Sequence, residues 1–194
     1  MKKFFFLNQE FSVFPTVYEP AEDSFLLAES VEVGENSSVL DLGCGTGIQG
    51  INSLLKGAGK VVFSDLNPGA VENAKENVGK ISSLEKAEFK ESDLFAEISG
   101  KFDTIIFNPP YVHSERKELM DVDGGNQGRE ILDRFLGQFP EYLNRNGRCF
   151  FLQSDLNGIG ETERKLKKRG LNFEIIAKKK LFFEKLLVFS CCKG

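Results

Sequence analysis

The sequence predicts an α/β fold: a seven-stranded, mostly parallel sheet with helices on both faces, finished by an antiparallel C-terminal strand pair. Three observations predict it. Five short apolar runs alternate with helix-like stretches between residues 38 and 168, the pattern of a doubly wound parallel sheet. Turn residues such as Gly43, Asn67-Pro68 and Asn108-Pro109-Pro110 punctuate them. The last two runs are too close in sequence to hold a crossover helix, so they must pair antiparallel.

The elements follow in order. Ser38-Val39-Leu40-Asp41-Leu42 reads as a buried strand, and residues 46–57 as a short helix. Val61 to Asp65 is the second strand. Asn67 then offers a side-chain cap, with Pro68 at the first helical position, for a helix to about Asn77. Residues 87–90 form a weak third strand, and Phe102 to Phe107 a fourth that stops at Asn108. A loop of about eighteen residues follows, too long for a mere connector. Residues 129–143 are helical, with Ile131, Leu132, Phe135 and Phe139 on one side. Gly147 starts the strand 148–152, and a charged helix runs from about Gly160 to Lys168. Strands near 172–178 and 184–191 are joined at Lys179-Lys180. No linker or repeat interrupts the series, so one domain is expected over residues 1–194, with residues 1–30 as a covering segment.

Composition narrows the chemistry. The chain has 194 residues, 19 Phe, no Trp, four Cys and a single histidine, His113. Zinc sites with two or more histidines are excluded, and a Ser-His-Asp or Cys-His nucleophile would have to use His113. The cysteines (Cys44, Cys149, Cys191, Cys192) show no CxxC spacing, so free thiols in a reducing, cytoplasmic setting are expected. The apolar start Phe4 to Leu7 ends at Asn8, too short for an export segment, and nothing approaches the ~20 apolar residues of a membrane span. Net charge is −4 but uneven: residues 161–194 carry +6 and residues 1–160 carry −10. The basic end is either a solvated face or a surface for RNA or a ribosome-associated partner.

Asp41-Leu42-Gly43-Cys44-Gly45-Thr46-Gly47 leaves a strand and opens a helix. Glycines there permit a tight turn and close approach of a ligand to the backbone. The alternating glycines differ from the dinucleotide pattern, and no Gly-Lys-Ser/Thr follows as in a phosphate loop. Asp65 ends the second strand, 18 residues after Gly47, where a carboxylate can accept both ribose hydroxyls. Asp93, after the third strand, can accept from an adenine amino group. Glycine loop, ribose acid and adenine acid in consecutive turns resemble a class I S-adenosylmethionine-dependent methyltransferase, with a Rossmann-like fold.

Asn108-Pro109-Pro110-Tyr111 leaves the fourth strand beside the glycine loop. The prolines make a rigid corner. The Asn108 side-chain oxygen and the Pro109 carbonyl can accept both hydrogens of one planar NH2 group, with Tyr111 over its plane. Such a nitrogen is a poor nucleophile because its lone pair is delocalised. Two preoriented acceptors favour its pyramidalisation and stabilise the charge that builds on it. Positioning does the rest, so neither His nor Cys is needed.

Together these residues resemble the HemK-type glutamine methyltransferases of class 1 translation release factors, over nearly the whole chain. The short archaeal and eukaryotic branch is most similar, through Val17-Tyr18-Glu19-Pro20-Ala21-Glu22-Asp23-Ser24 and through Gly124-Gly125, Gly128-Arg129-Glu130 and Asp133-Arg134-Phe135. The resemblance implies S-adenosylmethionine as cofactor, S-adenosylhomocysteine as product, and the Gln of a release factor's Gly-Gly-Gln as target. It implies that Gly43, Gly45 and Gly47 line the cofactor, Asp65 holds its ribose, and Asp93 and Leu94 bind its adenine. Ser24 would reach the cofactor from the N-terminal segment, and Asp41, where the family often has Glu, its amino group. Asn108 and Pro109 would hold the glutamine amide, with Tyr111 packed nearby and Asn108 also at the cofactor. No metal is implied in the site. A small zinc-binding activator protein is implied at the third-strand edge, residues 86–91. Amino-adenine methyltransferases acting on DNA or RNA share Asn-Pro-Pro-Tyr and are the alternative. Nucleic acid is not expected as the primary substrate, because residues 1–160 are acidic.

Overall fold

The computed structural model describes residues 2–111 and 129–194. His113, the two glycines at 124 and 125, and Gly128 lie outside the described residues. The chain opens with strands β1 (Lys2–Phe6) and β2 (Gln9–Val13), then helix α1 (Glu22–Ser30). The main series is β3 (Ser38–Leu42), α2 (Ile48–Leu55), β4 (Lys60–Asp65), α3 (Pro68–Lys80), β5 (Ala87–Glu91) and β6 (Phe102–Phe107). It continues with α4 (Glu130–Tyr142), β7 (Leu143–Ser154), α5 (Ile159–Lys168), β8 (Leu171–Lys180) and β9 (Lys185–Lys193).

The seven-stranded sheet has the order β5-β4-β3-β6-β7-β9-β8. Pairing is parallel from β5 through β7, while β9 runs antiparallel to both β7 and β8. The predicted mixed sheet is therefore the observed one. The chain winds outward from β3 to β5, then returns to lay β6 on the other side of β3. That reversal opens a crevice beyond the carboxyl ends of β3 and β6, where ligands of such sheets bind.

Strand alternation divides the core. Val39, Val61, Phe63, Ile106, Phe150 and Leu152 point to one face, under α1, α2 and α3. Leu40, Leu42, Ile105, Phe107, Cys149 and Phe151 point to the other, under α4 and α5. Phe135 of α4 packs against Phe95, Phe107, Phe139 and Phe151, and Phe151 stacks on Phe189 at 4.9 Å. Much of the phenylalanine excess is this aromatic layer.

Three details differ from the sequence reading. The N-terminal phenylalanines form an antiparallel hairpin, β1–β2, burying Phe4, Phe6 and Phe11 in the first core cluster. It is tied to α3 by two asparagines: Asn77 Oδ1 accepts from Ser12 N–H and Asn73 Oδ1 from Phe14 N–H, both at 2.8 Å. Both amide groups also donate to Ser12 O, so they satisfy a backbone edge that lacks a neighbouring strand. Strand β7 starts at Leu143 rather than after Gly147, which lies inside it because a Cβ there would sit 2.8 Å from Phe102 O. Lys179 and Lys180 belong to β8, paired with Leu186 and Lys185, so the turn falls at residues 181–184.

Gly50 is the tightest point beneath the glycine loop. A Cβ there would lie 2.1 Å from a ring carbon of fully buried Phe63, which itself stacks on Phe89. Alanine is the better helix former by ~1 kcal/mol, yet the overlap cannot relax outward. Gly50→Ala is expected to cost about 1–2 kcal/mol net, a fall in Tm of roughly 2–8 °C by calorimetry.

Candidate active site

The turn after β3 is built from positive φ angles: 63° at Gly43, 53° at Gly45 and 83° at Gly47. Space is short as well, since a Cβ on Gly47 would meet Ala74 at 3.1 Å. Any L side chain would thus be strained at Gly47 twice over. Asp41, 1% exposed, accepts from Gly50 N–H at 2.8 Å, tying the strand to the first turns of α2. Burial pushes its carboxyl well above the ordinary range, despite that hydrogen bond.

Asp65, at the end of β4, accepts from Gly45 N–H through Oδ2 and from Asn67 N–H through Oδ1, both at 2.9 Å. Asp65 O also accepts from Ser92 N–H (2.8 Å), which brings the turn after β5 to the same rim. In that turn Leu94 is buried with φ 50°, and Ser92 Oγ donates to its carbonyl at 2.9 Å. Branched aliphatic residues rarely adopt this conformation, and it costs on the order of 1 kcal/mol. Asp93 beside it is exposed and ion-paired with Arg134 of α4 at 2.7 Å. Arg134 had no role assigned from sequence.

Asn108 closes the crevice from the β6 side. Its Nδ2 donates to Asp23 Oδ2 at 3.0 Å and lies 3.4 Å from Ser24 Oγ. Its Oδ1 is buried and has no hydrogen-bond partner among the described residues, a costly condition for a polar atom unless a ligand supplies the donor. Pro109 is buried behind it. The Tyr111 carbonyl accepts from Asn157 Nδ2 at 3.0 Å, holding the corner against the turn before α5. Ser24 thus lies in contact distance of the Asn108 corner.

Asp23, in the first turn of α1, is the residue whose role sequence reasoning missed. It is 3% exposed and accepts from three places, Asn108 (3.0 Å), Tyr18 (3.1 Å) and Ser24 (3.3 Å), and its charge reaches the Tyr111 hydroxyl. Burial first, and then the Asp23 charge, push the Tyr18 and Tyr111 hydroxyls far up, so both stay protonated donors at neutral pH. The available signal was its place beside Ser24 in the Tyr-Glu-Pro-Ala-Glu-Asp segment.

The family model "Methyltransferase small domain" matches residues 16–183, which covers every element just described from Tyr18 to the β8–β9 turn. The chain belongs to this methyltransferase family. Its similar relatives include HemK-type methyltransferases that align over most of the chain. A Methanocaldococcus jannaschii protein, provisionally named a protein N5-glutamine methyltransferase, is 47% identical over 182 residues, 91% of each chain. Human methyltransferase HEMK2 is 31% identical over 175 residues, 81% of each chain. The E. cuniculi Mtq2–Trm112 complex, described as responsible for methylating the translation termination factor eRF1, superposes with a TM-score of 0.72 at 28% identity. That match covers 92% of this methyltransferase and 99% of the other chain. Among the described residues, no helix of the enzyme is long and apolar enough to cross a membrane.

Proposed function

We propose that the protein transfers the methyl group of S-adenosylmethionine to the side-chain amide nitrogen of the glutamine in the Gly-Gly-Gln motif of a release factor. The observation that carries this reading is the buried, unpartnered Asn108 Oδ1, aimed by a donor bond from its own Nδ2 to Asp23. An acceptor held that way suits an N–H of an NH2 group, whose second hydrogen the Pro109 carbonyl could take. The names borne by the Methanocaldococcus and Borreliella burgdorferi relatives, glutamine methyltransferases both, support the same substrate class.

The residues present fit the cofactor. Gly43, Gly45 and Gly47 leave the backbone bare where its methionine and ribose would lie, and Asp65 would accept the ribose hydroxyls. Asp93 and Leu94 would hold the adenine, Asp41 the amino group, and Ser24 would reach the cofactor from α1. When bound, S-adenosylmethionine supplies a methyl group on a positively charged sulfur. Asn108 Oδ1 and the Pro109 carbonyl would accept the two amide hydrogens of the substrate and turn its nitrogen lone pair toward that methyl. Tyr111, within electrostatic reach of Asp23, would pack on the amide plane. The surplus proton leaves after transfer, so no strong base is needed.

A small zinc-binding activator remains part of the proposal. β5 is an edge of the sheet, half-buried, and its outer backbone groups are open to strand addition. Mtq2, with Trm112 as its partner, supports such an arrangement.

The test is transfer of labelled methyl to purified release factor, with the activator present. Label should appear on the wild-type factor and vanish when the target Gln is replaced by Ala. Equal labelling of both would sink the reading, and labelled adenine with salt-dependent nucleic-acid binding would replace it with the amino-adenine alternative. Asp65→Ala should raise the cofactor Kd by ~10–100-fold in calorimetry, the worth of a charge-assisted hydrogen bond.

A further inference from the structure

The tip of the β8–β9 hairpin carries a feature that folding does not need. Leu181 N–H donates to Glu184 O at 2.8 Å, leaving Phe182 and Phe183 as a two-residue loop. Neither residue takes a positive φ, so the turn asks for no particular side chain and would accept small polar residues. Here two phenylalanines stand instead, 91% and 85% exposed, with rings edge to face at 4.6 Å. Large apolar side chains side by side in water gain nothing for the fold and mark a contact surface. Lys178, Lys179 and Lys180 lead into the tip, and Lys185 leaves it. Lys179 pairs with Glu22 at the start of α1, while among the described residues Lys178, Lys180 and Lys185 form no salt bridge.

The tip also stands beside the Asn108 corner. The Lys179 partner Glu22 is the neighbour of Asp23 in sequence. Leu181 packs on the same core cluster as Tyr111. The Glu184 charge adds to burial and to Asp23 in raising the Tyr18 and Tyr111 hydroxyls, so it lies within electrostatic reach of both.

We infer that Phe182 and Phe183, flanked by Lys178, Lys180 and Lys185, form a docking platform for the protein that carries the target glutamine. The complementary surface is an apolar spot bordered by acidic side chains. The inference rests on the glutamine reading of the Asn108 site. Exposed aromatics at the centre of a contact, with charges at its rim, are the usual anchors of protein recognition. An RNA strand is the less suited occupant, because the rings meet at 75° rather than offering parallel faces to successive bases.

The test compares wild type with Phe182→Ser/Phe183→Ser, each with the activator, on whole release factor and on a blocked Gly-Gly-Gln tripeptide too small to reach the tip. The expected result is KM for the whole factor raised at least ~10-fold with kcat unchanged. Kinetics on the tripeptide and Tm should match wild type. A Lys180→Glu/Lys185→Glu variant should raise the same KM and flatten its salt dependence. Unchanged KM for the whole factor overturns the platform while leaving the glutamine reading intact. If RNA affinity falls in the serine variant instead, the platform serves nucleic acid and the inference is overturned. Wild type that labels neither substrate removes the glutamine reading, and the platform with it.

Discussion

Asn108→Ala is expected to lower kcat by ~10²–10³-fold or more, the range seen when one preoriented charge-stabilising group is removed from an active site. The Kd for S-adenosylmethionine should stay within a few-fold of wild type, because the glycine turn and Asp65 belong to other strands. The loss has two origins. The acceptor that turns the substrate nitrogen is gone, and Asp23 Oδ2 loses the donor it receives from Asn108 Nδ2. Single-turnover methyl transfer beside cofactor calorimetry separates chemistry from binding. Full turnover by the variant would remove the acceptor role from the mechanism.

Asp23→Asn is expected to lower kcat by ~10–100-fold through misorientation of Asn108, with little change in cofactor Kd. The substitution keeps size and shape. It replaces a carboxylate that only accepts with an amide that must turn one NH2 toward its neighbours. Asn108 is then free to present Nδ2 rather than Oδ1 to the substrate. A second readout distinguishes this from simple destabilisation. Burial and the Asp23 charge both hold the Tyr18 and Tyr111 hydroxyls up, so removing the charge lets both ionise at lower pH than in wild type. Ultraviolet titration of the phenolates follows it directly. Unchanged kcat and an unchanged phenolate titration would make Asp23 a bystander.

Much of this fold was legible because its signals are local. Asn67 and Pro68 announce α3 by capping chemistry, and Asn67 Oδ1 does accept from Gly69 N–H at 2.9 Å. The apolar runs at 38–42 and 102–107 coincide with β3 and β6 because both are buried on two faces. Element ends were less legible. Gly147 signals a strand boundary in sequence, yet here it serves the close approach of β7 to the Phe102 carbonyl. Lys179-Lys180 looks like a turn, yet an edge strand tolerates lysines along its solvated side. The β1–β2 hairpin gave little warning, since what holds it to α3 is a pair of asparagine side chains about 60 residues away.

By itself the sequence determined the doubly wound sheet, the family, and the residue types at the corner and the glycine turn. Each rests on periodicity, on backbone freedom, or on a short run whose members touch one another. Tertiary structure decided which of these residues act together. Asp23 and Asn108 are 85 positions apart, and only the docking of α1 over the end of β6 brings the carboxylate within 3.0 Å of the amide. Packing likewise leaves Asn108 Oδ1 buried without a partner among the described residues and puts Phe182 and Phe183 in water beside the same corner. Orientation and exposure are properties of the packed chain, because both depend on neighbours that the sequence separates.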